Sequence, residues 1–459
     1  MQEATIPAPH SIAAPALAPR VRLRWDLIAL SLILLVAFAA RLGYAWYEQR
    51  TIPHGALATI AYEYEPGAIA YSLATGNGFS SPFRWRTGPT AWTTPVYPLL
   101  LASLIEIFHP FSFQTFVAAV MLNIVFSAFT CVPIFYAGKW VAGTAVGAGA
   151  ALLWAVFPNA VVIPFQWIWD TSLSGLLAAA LVWATLAFAG SRRLRDWCLY
   201  GALWGLALMT NATLLAGLPF MLGWMAYRTR KLSDRWLIGP ALAASLIVLA
   251  CIPWTVRNYA AFHAFVPFRS VLGLQLWLGN NDQYRDQFPG WMHPVDNPGE
   301  FAKYKRLGEI AYMREKREAA IEWIMDCPRR EAELFKARFI ATWLGTPHPV
   351  KDFLRTDSFW IRVAFIANFL AAVGAFIGLV ALLGNRAYRP YFVPIASLPI
   401  LFPVAFYMSQ ALFRYRYPID PIVMLLAGIG GHTLMPGRWL SRRTPKSESA
   451  DSLVPLTGN

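Results

Sequence analysis

Three carboxylates stand beside apolar runs, where a general base could lie at a membrane surface. Glu63 and Glu65, in AYEYEPGAIAYSLA, follow the first apolar run, and Asp170, in FQWIWDTSLSG, begins a later one. A carboxylate can remove the proton of an acceptor hydroxyl as that hydroxyl attacks. The simpler interpretations are a solvated loop for the two glutamates and a helix N-cap for Asp170, which Thr171 and Ser172 follow.

The residues after Glu65 predict a short helix close to the bilayer. Ile69, Ala70 and Leu73 are apolar, and Pro66 is well tolerated in the first turn of a helix. We therefore expect Glu65 at the N-terminal edge of this helix.

Four arginines are candidates to bind an anionic group. Arg414 and Arg416, in LFRYRYPIDP, precede the last apolar run, Arg257, in WTVRNY, ends another, and Arg41 lies within the first. An arginine at membrane depth costs about 2.5–3.5 kcal/mol on insertion scales and usually faces a partner or a cavity. Snorkelling to lipid headgroups is the alternative for each. A carboxylate base with arginines around a departing phosphate would carry out a group transfer.

The composition indicates that these residues lie in an all-α polytopic membrane protein. Of 459 residues, 57% are hydrophobic and 14% are charged, and the mean hydropathy is +0.44. Soluble domains carry about 25% charged residues. The net charge of +14 comes from basic residues gathered at the ends of apolar runs, which indicates membrane orientation rather than nucleic-acid binding.

Charge also predicts the topology. Ten crossings are predicted, at residues 26–47, 112–137, 142–157, 170–189, 197–210, 212–227, 236–256, 358–383, 391–409 and 418–435. The run at residues 97–108 is short and contains Glu106. If it crossed, the basic groups around Lys139, Arg192 and Arg228 would face outward, so we interpret it as interfacial or re-entrant, with both termini cytoplasmic.

This topology divides the chain into five parts. They are a disordered cytoplasmic tail (1–25), an N-terminal transmembrane module (26–256) with an outer loop (48–111), an outer, periplasmic, mostly helical segment (257–357) that caps the membrane part, C-terminal transmembrane helices (358–436) and a cytoplasmic tail (437–459). The carboxylates and the four arginines then share the outer face. Nucleotide sugars are cytosolic, so a lipid-phosphate donor fits a transfer on that side.

Several runs resemble the GT-C superfamily of membrane glycosyltransferases, which includes protein O-mannosyltransferases and the aminoarabinose transferases of lipid A. The runs are EPGAIAYSLATGNGFSSPF, TGPTAWTTPVYPLLLASLIEIF, FPNAVVIPFQWIWDTSLSGLL, GALWGLALMTNATLL, PWTVRNYAAFHAFVPFRSVLGLQLWLGNN and RYRYPIDP. The resemblance covers about residues 26–435 and is greatest to bacterial members with a family-39-like membrane domain. The order and spacing of these runs along the chain carry the resemblance.

The resemblance implies an inverting transfer of a sugar from a polyprenyl-phosphate donor in the inner membrane. It implies that an acid of the first outer loop is the base: Glu65 fits the E-x-x-x-I-A pattern, and Glu63 is the alternative, because many relatives have an Asp-Glu pair where this chain has Glu-Tyr-Glu. Arg414 and Arg416 match the segment expected near the donor phosphate, and Asp170 matches a second acid. The outer segment after residue 257 would help to bind a protein, lipid or glycan acceptor.

The remaining polar residues give little indication of a cofactor. His109, His293 and His348 are isolated and are interpreted as ordinary surface residues, so a divalent metal is the less favoured option and no other cofactor is expected. The four cysteines, Cys131, Cys198, Cys251 and Cys327, form no disulfide framework.

Two other functions compete with a transferase. A transporter or flippase of polyprenyl-linked or other anionic lipids would also place arginines near phosphates, but it needs polar residues along the whole path across the bilayer. In this chain, the intramembrane charges lie toward the outer half. A structural membrane protein would leave the outer carboxylates and arginines unexplained.

Overall fold

The computed structural model describes residues 20–83, 85–232, 234–284, 290–344 and 359–435. The predicted tails fall almost wholly outside these ranges, as does His348. Within them the regular secondary structure is helical, apart from one isolated antiparallel bridge between Ser80 and Pro89. The all-α prediction is confirmed.

The described part of the chain contains twenty α-helices. They are α1 (Arg20–Glu48), α2 (His54–Glu63), α3 (Glu65–Ala74), α4 (Val96–Phe108), α5 (Phe113–Phe129), α6 (Cys131–Ala142), α7 (Thr144–Val156), α8 (Pro158–Gln166), α9 (Thr171–Ala187), α10 (Leu194–Thr210), α11 (Leu218–Arg230), α12 (Ile238–Phe262), α13 (Leu272–Gly279), α14 (Pro298–Leu307), α15 (Glu309–Asp326), α16 (Pro328–Leu344), α17 (Phe359–Gly384), α18 (Phe392–Leu401), α19 (Val404–Tyr407) and α20 (Asp420–Leu434).

Five stretches in the described ranges are long and apolar enough to cross a membrane. They are Trp25–Glu48, Phe113–Ala142, Ile238–Phe262, Arg362–Gly384 and Arg389–Tyr407. A sixth is possible if α7 and α8, bent by 45° at Phe157, form one span. Helices occupy all ten predicted spans, but several are shorter than a bilayer because proline or glycine interrupts them. The number of crossings and the orientation of the termini remain predictions.

Some helices in the interior of the bundle lie so close together that only glycine fits where they touch. The helix α17 packs along α20, α6 along α7, and α10 along α12. A Cβ on Gly378 of α17 would collide with the Leu426 carbonyl of α20. The indoles of Trp154 and Trp204 are fully buried in the same core.

A second layer of short helices covers one end of the bundle. It contains α2, α3 and α4 of the predicted first outer loop and α13 to α16 of the predicted later outer segment. Two apolar cores, around Tyr97 and Trp92, join much of this layer to bundle residues such as Phe116 and Trp254. The two parts of this layer meet at Glu309, the first residue of α15. Its buried carboxylate accepts hydrogen bonds from Thr90 Oγ1 (2.5 Å) and from the amide of Ala91 (2.7 Å).

Two further donors complete the Glu309 site. Ser270 Oγ and the Tyr304 hydroxyl each donate to the carboxylate at 2.7 Å. A buried carboxylate is tolerated only when its oxygens are hydrogen-bonded. Glu309 therefore fastens the cap, which consists of α13 to α16 and their loops, to the first outer loop.

Candidate active site

A cavity of about 460 Å³ lies where the first outer loop, the turn before α9, the cap and the segment before α20 meet. Its charged side chains and its histidine are Glu65, Asp170, Arg269, Arg414 and His293. Two carboxylates and two guanidinium groups thus share one small space.

Glu65 reaches this cavity because the chain turns between two helices there. The helix α2 ends at Glu63, and α3 begins at Glu65, with Tyr64 between them. Glu65 is the first residue of α3, with Pro66 in the first turn, as the sequence predicts. Its side chain is 11% exposed. Burial raises the pKa of the Glu65 carboxyl above its ordinary value, although the backbone and the charges of Arg414 and Arg269 act in the opposite direction.

Glu63, the alternative base, closes α2. Its side chain lies outside the described part of the structure.

Asp170 occupies the N-cap position of α9, but its side chain makes no capping hydrogen bond. It accepts instead from Ser174 Oγ at 2.9 Å, and Asn211 Nδ2 donates to the same hydroxyl at 3.3 Å. The carboxylate lines the cavity, and the charges of Arg269 and Arg414 both act on it. The capping interpretation therefore does not account for Asp170.

Arg414 enters the cavity from the segment between α19 and α20. Its guanidinium carbon lies 4.3 Å from the ring centroid of Trp167 and 4.1 Å from that of Trp169. The ring of Tyr64 packs against Trp167 in turn, with centroids 4.9 Å apart, so the residue before Glu65 supports the same cluster. Arg414 Nε is buried and has no hydrogen-bond partner among the described residues.

Arg269 was not singled out from the sequence. It lies in the loop between α12 and α13, where Ser270 N donates to Ala91 O at 2.9 Å and Arg269 Nε donates to Trp92 O at 3.2 Å. These bonds fix its backbone and side chain beside the first outer loop. The only sequence signal is a basic residue on the predicted outer face that the positive-inside rule leaves unexplained.

Arg416 points away from the cavity, although the sequence paired it with Arg414. Its Nε is 2.5 Å from Asp420 Oδ1, and its other nitrogens donate to Trp343 O (2.7 Å) and to Asn368 Oδ1. The guanidinium is buried and joins the start of α20 to α16 and α17.

Arg41 and Arg257 also bond to protein acceptors outside the cavity. Arg41 is fully buried and donates to Ser127 Oγ at 2.8 Å and to Ala155 O at 2.9 Å. Arg257 donates to the carbonyl of Thr90 at 2.6 Å. The structure thus brings only Arg414, of the four predicted phosphate ligands, to the two carboxylates.

The surface interpretation of His293 is wrong. Its side chain is only 4% exposed, and its Nε2 is 3.6 Å from Glu65 Oε1. His109 is exposed at the end of α4, as expected. Within the described ranges, no group of three or more His, Cys, Asp or Glu side chains is arranged to hold a metal ion.

A second, larger cavity of about 1,310 Å³ lies next to the first. It is lined by successive turns of α3, at Ala68, Ser72 and Thr75, and by Phe83 and Trp85 of the loop that follows. The Phe83 ring contacts the His293 ring, with centroids 5.9 Å apart. Phe83 lines the larger cavity and His293 the smaller, so these two rings form part of the wall between them.

Comparison with known proteins identifies the architecture. Residues 93–255 match the family model described as dolichyl-phosphate-mannose-protein mannosyltransferase. No curated protein sequence is similar enough to count as a match.

Three solved structures of the Archaeoglobus fulgidus oligosaccharyltransferase are similar in fold. The apo form has a TM-score of 0.53 at 12% identity, over 89% of this chain and 51% of that one. The complex of the enzyme, AglB, with an inhibitory peptide and a dolichol-phosphate has a TM-score of 0.51 at 13% identity, over 89% and 50%. The complex with Zn and sulfate has a TM-score of 0.50 at 12% identity, over 88% and 49%.

The chain therefore spans about half the length of these proteins. At such identities the likeness shows the fold alone, which this chain shares with the archaeal oligosaccharyltransferase. With the family match, it confirms the resemblance to GT-C glycosyltransferases that the sequence indicates.

Proposed function

We propose that this protein is a membrane glycosyltransferase that moves a sugar from a polyprenyl-phosphate donor to an acceptor hydroxyl on the outer face of the inner membrane. The observation that carries the proposal is the meeting of Glu65, Asp170, Arg269 and Arg414 in one cavity. The fold and the family match support a lipid-phosphate donor, because the family description names a dolichyl-phosphate sugar and one similar structure holds a dolichol-phosphate.

In this mechanism Glu65 is the general base. The acceptor oxygen attacks the anomeric carbon of the sugar while the Glu65 carboxylate takes the hydroxyl proton. The bond between that carbon and the phosphate oxygen breaks, and its electron pair leaves with the polyprenyl phosphate. A single displacement inverts the anomeric configuration.

The arginines stabilise the departing phosphate. Arg414 offers a buried Nε–H that no described residue accepts, and Arg269 is held beside both carboxylates. Guanidinium groups suit phosphate because they donate two parallel hydrogen bonds. In this proposal Arg416, Arg41 and Arg257 have structural roles, and Asp170 orients the site or replaces Glu65 as base.

The larger cavity is the proposed route of the acceptor. It is lined by aromatic rings, including Tyr71 and Trp85, and by small hydroxyl side chains. In the Trp85→Ala variant we expect unchanged hydrolysis of the donor by water, and less transfer to whichever protein, lipid or glycan acceptor proves active.

The decisive experiment compares Glu65→Gln with wild type. Purified protein in liposomes is given radiolabelled polyprenyl-phosphate mannose, and then other polyprenyl-phosphate sugars, and the released or transferred sugar is measured. Loss of a general base lowers the rate by about 10²–10⁴-fold. The exposed Glu106 of α4 supplies the matched control, and Glu106→Gln should be fully active. Full activity of Glu65→Gln would remove Glu65 as the base.

The same assay tests the expectation that no metal is required. Treatment with EDTA should leave transfer unchanged. Loss of activity, restored by one divalent ion, would contradict that expectation.

A further inference from the structure

His293 occupies a buried place that its sequence context does not indicate. It lies in the loop before α14, between the exposed residues Trp291 and Asp296, yet its side chain is only 4% exposed. Its ring packs edge-to-face with Phe83 and Trp92, at centroid distances of 5.9 and 5.5 Å and near-perpendicular angles. These contacts fix the plane of the imidazole.

The hydrogen bond of the other ring nitrogen sets the tautomer. The Val295 amide donates to His293 Nδ1 at 3.2 Å, so Nδ1 must be the unprotonated nitrogen. Burial lowers the pKa of His293 to about 4, which leaves the ring neutral at neutral pH. The neutral ring therefore carries its proton on Nε2, the atom that faces Glu65 Oε1 at 3.6 Å.

We propose that His293 is a positioning residue for Glu65, holding one carboxylate oxygen with its Nε2–H and so turning the other toward the acceptor. This inference rests on the proposed role of Glu65. The present distance exceeds that of a hydrogen bond, and a shift of about half an ångström would form one.

A neutral donor suits this task better than a cation. The charged groups that act on Glu65 are already Arg414 and Arg269, which favour the carboxylate, and Asp296, which disfavours it. A third cation would lower the basicity of Glu65 further. The uncharged imidazole restrains the carboxylate and leaves the two guanidinium groups for the phosphate.

The test follows the ionisation of Glu65 by infrared spectroscopy. The carboxyl band that is present in wild type and absent in Glu65→Gln is titrated, and then measured again in His293→Phe and His293→Gln. The phenyl ring keeps the packing but removes the donor, and the glutamine amide places an N–H near the position of Nε2. We expect the midpoint to rise by about one pH unit in His293→Phe and to return toward wild type in His293→Gln.

Enzyme assays supply the second readout. The acid limb of donor hydrolysis should move upward by the same amount in His293→Phe, and His293→Gln should restore it. Unchanged midpoints in both variants, with melting temperatures like that of wild type, would overturn the proposal. If His293→Phe is too unstable to purify, His293→Gln and His293→Leu are compared in intact membranes. Because the infrared midpoint is independent of catalysis, it tests the contact even if Glu65 proves not to be the base.

Discussion

At the scale of single residues, the environment of each charged group separates a ligand-binding role from a structural one. Arg414 lies over two indoles and leaves Nε–H without an acceptor among the described residues. Arg416, two positions later, bonds to Asp420, Trp343 and Asn368. Only the first keeps a donor for a ligand, so the proposal assigns the phosphate to Arg414 and not to Arg416.

The raised pKa of Glu65 predicts the pH dependence of the reaction. A general base works only as the carboxylate, so the rate falls as the pH drops through the folded-state pKa of Glu65. Because burial raises this pKa, the acid limb should lie above about 4.3, the value of a free glutamate. The measurement is the initial rate of donor hydrolysis against pH. An acid limb at or below the free value would contradict the assignment.

The arginine environments predict two different failures. Arg414→Ala and Arg269→Ala should raise the KM for the donor about 10- to 100-fold, since a hydrogen bond to a charged group is worth about 1.5–3 kcal/mol. Arg416→Ala should instead destabilise the fold by about 3–5 kcal/mol, because it leaves Asp420 buried and unpaired. Donor kinetics and thermal melting distinguish the two effects. The exposed Arg306 serves as the control, and an unchanged KM in Arg414→Ala would sink the phosphate assignment.

Sequence reasoning found part of this site. Glu65, Asp170 and Arg414 stand beside apolar runs, where charge is unusual and therefore noticeable. Arg269 and His293 lie in an ordinary polar segment, and only the folded cap brings them to Glu65. Arg41 and Arg416 were predicted as phosphate ligands for the same reason as Arg414. A sequence does not show which guanidinium groups already donate hydrogen bonds to oxygen atoms of the protein.

At the scale of elements, the site depends on how the cap is fastened to the first outer loop. Glu309 at the start of α15 accepts four hydrogen bonds, two of them from Thr90 and Ala91. The same loop segment supplies the Trp92 carbonyl that holds Arg269. Apolar runs and prolines located the ten predicted spans, although 112–137 divides into α5 and α6 and α8 was not predicted. The long-range attachment through Glu309 has no local sequence signal.

Removal of the Glu309 charge should therefore loosen the cap. In Glu309→Gln an amide replaces an acceptor that served four donors, and each buried group left unsatisfied costs about 1–3 kcal/mol. We expect a lower melting temperature, faster proteolysis in α14 to α16 and weaker donor hydrolysis. Glu315→Gln is the matched control, because Glu315 is 45% exposed and its ion pair with Lys303 contributes about 1 kcal/mol or less. Equal behaviour of the two variants would show that Glu309 does not hold the cap.

At the scale of the whole molecule, the orientation in the membrane rests on the basic clusters. Lys139 of α6 forms an ion pair with Asp26 of α1, and Thr144 Oγ1 donates to Asp26 at 3.0 Å, so these three residues mark one end of the bundle. The positive-inside rule predicts that this end is cytoplasmic. It also requires that α4, with only 13 residues, does not cross.

Cysteine labelling tests this orientation. In a variant without the four native cysteines, Ser103→Cys and Thr144→Cys are treated with a membrane-impermeant maleimide, since both positions are exposed. Ser103→Cys should react in intact cells, and Thr144→Cys only after the membrane is opened. Reaction of Thr144→Cys in intact cells would mean that α4 crosses the membrane.

The wall formed by Phe83 and His293 has a kinetic consequence. If the smaller cavity binds the donor and the larger one admits the acceptor, as proposed, the two substrates approach this wall from different sides. The proposed single displacement requires both substrates to be bound together, so initial-rate plots at several fixed acceptor concentrations should intersect rather than run parallel.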